Sequence, residues 1–71
     1  MDCILDTHAV EVDFARKWAE AIGQSLHYSR MTGNRAGILL IMLSPKDQKY
    51  LDRLLNVIDH FSLPIDVFTI E

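Results

Sequence analysis

The alternation of strand-like and helix-like patterns along 71 residues predicts an α/β domain of order β-β-α-β-α-β, with a mixed sheet flanked by helices. Three observations carry this. Residues Asp2 to Phe14 alternate apolar and polar on either side of Asp6-Thr7-His8. Two later segments repeat apolar residues at three-four spacing, Trp18, Ile22 and Leu26 in one and Leu51, Leu54, Leu55, Ile58 and Phe61 in the other. Between and after them lie two short apolar runs, Gly37 to Leu43 and Ile65 to Ile70.

The leading alternation reads as a β-hairpin with Thr7 and His8 in a tight loop. Asp2 then pairs with Asp13 and Ile4 with Glu11. Asp2, Glu11 and Asp13 share one face, and Cys3, Leu5, Val10, Val12 and Phe14 share the other. The first helix is expected from Phe14 or Ala15 to Met31 or Thr32, with Asp13 as its cap and Gly33 as its end. Its buried stripe is Trp18, Ile22 and Leu26 with Ala15 and Ala19. Lys17, Gln24 and Met31 lie seven apart on another face, with Glu20 and Tyr28 beside them. Gly23 costs helix propensity and is read as a close approach of backbone to sheet or partner.

Gly37 to Leu43 is so continuously apolar that it reads as a central strand covered on both faces. Ser44-Pro45-Lys46-Asp47 opens the second helix with a capping serine, a proline at the first helical position and a carboxylate near the positive end of the helix dipole. Ser62-Leu63-Pro64 stops it, and Ile65 to Ile70 is the last strand. The two strand-helix-strand crossovers are right-handed.

A chain of 71 residues has room for one domain, residues 1–71. An apolar content of 49% is high for so small a soluble chain, so a homodimer or larger oligomer is expected to cover part of it. Cys3 is the only cysteine, and His8, His27 and His60 do not combine with it at zinc-ligand spacing. A reducing, cytoplasmic location is expected, with no leader and no segment long enough to span a bilayer. The net charge of −3 argues mildly against general nucleic-acid binding, but the charge is segregated. Residues 1–14 carry −4, whereas residues 15–35 carry +3 through Arg16, Lys17, Arg30 and Arg35 against Glu20.

Carboxylates on adjacent strands are what a hard divalent cation needs, because Mg²⁺ takes oxygen ligands and keeps water and substrate phosphate in its remaining positions. Asp2, Glu11 and Asp13 are the candidate ligands. Lys17 is placed to orient or deprotonate an attacking water or to stabilise charge on the phosphate, and Gln24, with Tyr28 after it, to bond a phosphate or the metal-bound water. The same residues also have plain structural readings: a solvated hairpin face, a helix cap at Asp13, and exposed helix positions at Lys17 and Gln24. His8 and His27 have no evident partner that would activate a nucleophile, and both read as surface or satisfied residues. Serine nucleophile elbows, phosphate-cradling glycine loops and dinucleotide fingerprints do not occur in the sequence.

The run Glu11-Val12-Asp13-Phe14-Ala15-Arg16-Lys17-Trp18-Ala19-Glu20-Ala21-Ile22-Gly23-Gln24-Ser25-Leu26-His27-Tyr28, with Asp2 ahead of it, resembles the core of PD-(D/E)XK nucleases. The similarity is to small bacterial and phage members in which an aspartate precedes a Glu-x-Asp strand and the lysine has moved to the next helix. Gln24-Ser25-Leu26-His27-Tyr28 looks like the glutamine-tyrosine helix motif of the RecB-like branch. The resemblance implies a restriction-endonuclease-like core, with Asp2 and Glu11 as metal ligands, Lys17 as the migrated lysine and Gln24 as a site residue near substrate. Asp13 stands where the usual lysine would be. The leading helix and strand of that family have no counterpart ahead of Asp2, which implies either a frayed Asp2 and an inactive enzyme or a second protomer that completes the sheet.

The expected function is therefore Mg²⁺- or Mn²⁺-dependent hydrolysis of DNA phosphodiesters. Asp2, Glu11 and Asp13 hold the metal, Lys17 and Gln24 assist, and Arg16, Tyr28, Arg30 and Arg35 meet the DNA. The competing expectation is a catalytically inactive nuclease-fold module that acts in oligomerisation or protein interaction.

Overall fold

A computed structural model describes residues 3, 4 and 6–71, with side chains from Asp6 onward. Its elements are β1 (Cys3–Ile4), β2 (His8–Phe14), α1 (Trp18–Thr32), β3 (Arg35–Ile41), α2 (Gln48–Phe61) and β4 (Ile65–Ile70). One turn of 3-10 helix leads into each helix, at Ala15–Lys17 and at Pro45–Asp47.

The body of the fold is β2-α1-β3-α2-β4. Its three long strands are all parallel and lie in the spatial order β2-β3-β4. This corrects the expected restriction-endonuclease-like β-β-α-β-α-β mixed sheet: the leading antiparallel strand is reduced to the two residues Cys3–Ile4, and the developed sheet is wholly parallel. Helix placement departs from expectation too. Sequential neighbours joined by right-handed crossovers put both helices on one side of a sheet, and α1 and α2 pack on each other there.

Register shows which residues that side receives. Ala9, Glu11 and Asp13 lie opposite Ala36, Ile38 and Leu40, which lie opposite Ile65, Val67 and Thr69. Ala36, Ile38, Leu40 and Leu54 have no exposed surface, and with Ala15, Ala21 and Ile65 they form the core. β3 is therefore covered on one face, not two. On its other face Leu39 and Ile41 stay half-buried, between Val12 and Phe14 of β2 and Phe68 and Ile70 of β4. An apolar run reads alike whether the second face meets a helix or nothing, which is why sequence pattern could not separate the two cases.

The hairpin register also moves. Cys3 pairs with Val10 and Ile4 with Ala9, two residues away from the expected pairing, with Asp6 and Thr7 in the turn and His8 already in β2. A shift of two keeps every side chain on its side of the sheet. Glu11 and Asp13 thus share a face, as expected, but it is the face beneath the helices.

α1 begins later than its apolar spacing suggests. Phe14 stands at the cap position of the 3-10 turn, and Asp13 Oδ1 accepts the Phe14 N–H at 2.9 Å without capping the helix itself. Ala21 and Ser25 take the deepest positions, because small side chains let the helix sit close on the sheet. Trp18, Ile22 and Leu26 fill in beside them and Ala19 is exposed. Gly23 is exposed with open space where a Cβ would stand, so it marks no close approach.

The helix ends follow their sequence signals. Gly33 closes α1 in the left-handed region, φ 75°, its N–H donating to the Ser29 carbonyl at 2.9 Å. Ser44 Oγ accepts the Lys46 N–H ahead of α2. At the other end of α2, Ser62 adopts φ 52° and ψ 46°, a conformation glycine takes without strain. A non-glycine residue there costs about 1–2 kcal/mol, against roughly 0.5–1 kcal/mol of extra chain entropy for glycine. Ser62→Gly is accordingly expected to raise the melting temperature by a few degrees, read by circular dichroism. Gly33→Ala should lower it.

Candidate functional site

Glu11 is the most unusual placement in the molecule. It sits mid-strand on the helix-facing side of β2, opposite Ile38, and is only 5% exposed. A carboxylate in an apolar layer carries a desolvation cost that a purely structural position would avoid with an aliphatic side chain. Such placements are enriched where a charge has work to do. Asp13, two residues on, lies on the same side and is half-buried, opposite Leu40 at the C-terminal end of the strand.

The helix residues proposed from sequence lie in the turn after β2 and on α1. Lys17 is exposed and ends the 3-10 turn that follows β2, so it precedes α1 and does not lie on the helix's first turn. Gln24 and Tyr28, four apart, occupy one flank of α1; Gln24 is exposed and Tyr28 half-buried, with its ring 5.5 Å from that of His27. By helical spacing that flank is the one turned away from the Ile22–Leu26 line. Asp2 lies outside the described residues. Among the described residues no three acidic, histidine or cysteine side chains converge as a metal-holding group. The donor chemistry present is thus two carboxylates on one side of one strand, which is the number Mg²⁺ commonly draws from protein when substrate phosphate and water complete its shell.

The proposed DNA contacts do not form one patch. The Arg16 guanidinium lies 4.8 Å from the Phe14 ring centre, past the C-terminal end of β2. Arg30 is exposed in the last turn of α1, at the opposite end of the sheet. Arg35 opens β3 at that same opposite end and points to the uncovered face, where it is held by Asp66.

That hold is part of a cluster the sequence reading missed. Arg35 donates from Nε to Asp66 Oδ2 at 2.7 Å and from Nη2 to Oδ1 at 3.1 Å, a two-pronged pair. His8 Nε2 lies 2.8 Å from Asp66 Oδ2, its Nδ1 is 2.7 Å from Thr7 Oγ1, and its ring meets Phe68 edge-on at 5.9 Å. His8 therefore has partners in Thr7 and Asp66. The signal was present in the sequence: His8, Arg35 and Asp66 each fall in the first two positions of their strands, and parallel alignment stacks strand starts together.

Hydrogen bonds from Arg35 first and from His8 second hold the Asp66 carboxyl down at about 2 against an ordinary 3.8, with desolvation opposing the shift and the Arg35 charge adding to it. The same pair raises Arg35. A depressed carboxyl stabilises the fold above its unfolded value and loses that contribution as pH falls through the folded one. Stability supplied by Asp66 should be full above about pH 4 and disappear between pH 4 and 2. Asp66→Asn should flatten that stretch of the acid unfolding curve. The side chain is 40% exposed, so water screens the pair and the loss at neutral pH is small.

An open cleft of about 600 Å³ lies at the C-terminal ends of β3 and β4, lined by Met42, Leu43, Ser44, Pro45, Gln48 and Glu71. Leu43 and Ser44 on its wall help start α2: the Leu43 N–H donates to Asp47 Oδ2 at 2.8 Å and the Ser44 carbonyl accepts the Asp47 N–H at 3.0 Å. No helix of the described residues is long and apolar enough to cross a membrane. No family model, no curated protein and no solved structure matches the chain.

Proposed function

We propose that the chain carries a divalent-metal-dependent deoxyribonuclease site of the PD-(D/E)XK type, working in the cytoplasm on DNA phosphodiesters. The observation that carries this reading is Glu11, a carboxylate 5% exposed in the strand centre and followed two residues later by Asp13 on the same side. The reading rests on the Glu-x-Asp strand and the residues after it, and does not require the mixed sheet. Glu11 and Asp13, with Asp2, would hold Mg²⁺ or Mn²⁺, which when bound supplies Lewis acidity at a phosphate oxygen. Lys17, exposed just beyond the strand end, contributes an ammonium to developing charge on the phosphate or to the attacking water. Gln24 and Tyr28 offer hydrogen bonds to the substrate, and Arg16, Arg30 and Arg35 offer charged contacts to backbone phosphates at two ends of the domain, Arg35 while also paired with Asp66.

The test is nicking of supercoiled plasmid DNA. Cleavage should need Mn²⁺ or Mg²⁺, stop on chelation, and fall by roughly 100-fold in Lys17→Ala, the scale of a positioned proton-transfer or charge-stabilising group. A folded protein that nicks no DNA structure with either metal overturns the proposal.

A second reading has its own observation. Phe14, Phe68 and Ile70 are 39%, 45% and 52% exposed on the uncovered sheet face. This favours a nuclease-like module retained for oligomerisation or protein interaction without catalysis.

A further inference from the structure

From the strand starts on the uncovered face we infer that Thr7, His8 and Asp66 act as hydroxyl nucleophile, general base and orienting carboxylate in the hydrolysis of carboxylic esters through an acyl-threonine. The inference goes beyond the proposed function. Its residues lie on the opposite side of the sheet from Glu11 and Asp13, and the reaction uses none of the metal-site groups.

Two distances join the three groups. The Thr7 hydroxyl oxygen lies 2.7 Å from His8 Nδ1, and His8 Nε2 lies 2.8 Å from Asp66 Oδ2. A hydroxyl within hydrogen-bond reach of a base, and that base held by a third group, is the arrangement that makes a neutral hydroxyl reactive. Asp66 decides which way the protons point. Its carboxyl is held down at about 2, so at neutral pH it is ionised and can only accept. In the neutral imidazole, Nε2 therefore carries the ring hydrogen, and the lone pair of Nδ1 is left for the Thr7 O–H. An ion pair at the strand starts accounts for Arg35 and Asp66 alone; it gives no reason for an imidazole set between that carboxylate and a hydroxyl.

The surroundings fix the ring and leave the hydroxyl reachable. The His8 side chain is only 19% exposed and meets Phe68 edge-on. A Cβ at Gly37 would stand 3.5 Å from His8 Cδ2 and 3.3 Å from Val10 Cγ2, so the glycine gives the ring its room. Thr7 is exposed in the turn before β2. Arg35 adjoins it, its backbone N–H donating to the Thr7 carbonyl at 3.1 Å. Because Nε and Nη2 hold Asp66, Nη1 is turned away from that carboxylate and offers positive charge to a developing oxyanion. Phe68, 45% exposed, offers an apolar surface to the aryl or alkyl part of the ester.

In the reaction, Thr7 Oγ1 attacks the ester carbonyl carbon as its proton passes to His8 Nδ1. The bond from that carbon to the alcohol oxygen then breaks, and the proton moves from Nδ1 to the departing alkoxide. Water attacks the acyl-threonine by the same route, giving its proton to Nδ1; the acid leaves and Thr7 recovers its hydrogen.

Hydrolysis of p-nitrophenyl acetate in the presence of EDTA tests this, followed by release of nitrophenol and by mass spectrometry of peptides after acid quenching. The expected result is hydrolysis with an acetyl group on Thr7, about 100-fold slower in Thr7→Ala, retained in Thr7→Ser and unchanged in His27→Gln. Asp66→Asn should lower kcat about 10-fold or more with KM unchanged. The amide can donate to Nε2 and so move the ring hydrogen to Nδ1, where it blocks the base, an effect that lost packing alone would not confine to kcat. Circular dichroism confirms that each variant folds. A folded wild type that hydrolyses the ester no faster than Thr7→Ala overturns the inference, as does an Asp66→Asn variant as fast as wild type. The chelator and the ester substrate keep either result separate from metal-dependent cleavage of DNA.

Discussion

Leu54→Ala is expected to destabilise the domain by about 3 kcal/mol, within the range for buried leucine truncations. Leu54 is the one fully buried residue of α2 and belongs to one core cluster with Ile38, Leu40 and Ile65, and α2 otherwise packs on that cluster through the half-buried Tyr50, Leu51 and Ile58. A chain of 71 residues has a total stability of roughly 4–10 kcal/mol, so this one change removes a large share of it. Small domains lose about 4–8 °C per kcal/mol, which predicts a drop of roughly 10–25 °C in Tm by calorimetry. Leu55→Ala, one residue on but 44% exposed, should shift Tm by no more than a degree or two. Equal effects at the two positions would contradict the placement of α2 on the sheet.

The second large effect is at Glu11. Glu11→Gln keeps the size and shape of the side chain while removing its charge and replacing one acceptor oxygen with an NH2 donor. The proposed site should lose metal-dependent nicking by at least about 1,000-fold, the scale of losing a metal-anchoring charge in a water-poor site, with near-native circular dichroism. Asp13→Asn, at the half-buried outer position of the same face, should be milder. A Glu11→Gln protein that cleaves like wild type would remove the basis of the proposed function.

Much of the local structure was legible in the sequence, and the reasons are specific. Gly33 and Ser62-Leu63-Pro64 end their helices where backbone chemistry demands it, and Ser44-Pro45 opens the second helix turn as such pairs do. Ile65–Ile70 is a strand from end to end. What sequence pattern could not supply was the third dimension. Alternation showed that Glu11 and Asp13 share a face, but not that the face points to the helices, because an apolar set of Val10, Val12 and Phe14 was the natural candidate for the core side. The helices instead took the side on which β3 presents Ala36, Ile38 and Leu40. The number of helices on each face depends on strand order, and order is set by long-range pairing that no local window contains.

The site was legible in part for the same reason. Glu11 was singled out for its residue type and spacing, and burial adds a physical reason to keep it first. Gln24 and Tyr28 keep to one flank of α1 as four-residue spacing requires, whereas Lys17 falls in the 3-10 turn, where α-helical spacing no longer tells its direction. The cluster of His8, Arg35 and Asp66 draws its members from three strands separated by whole helices, so it became visible only with parallel register.

Metal capture is the step on which the proposed activity depends, and Mn²⁺ titration by isothermal calorimetry, on wild type and on Glu11→Gln, measures it directly. Saturable binding with defined stoichiometry in the wild type, lost in a folded Glu11→Gln, is the predicted result. A well-folded wild type that takes up no Mn²⁺, or a variant that binds it unchanged, would contradict the proposal that Glu11 anchors a metal.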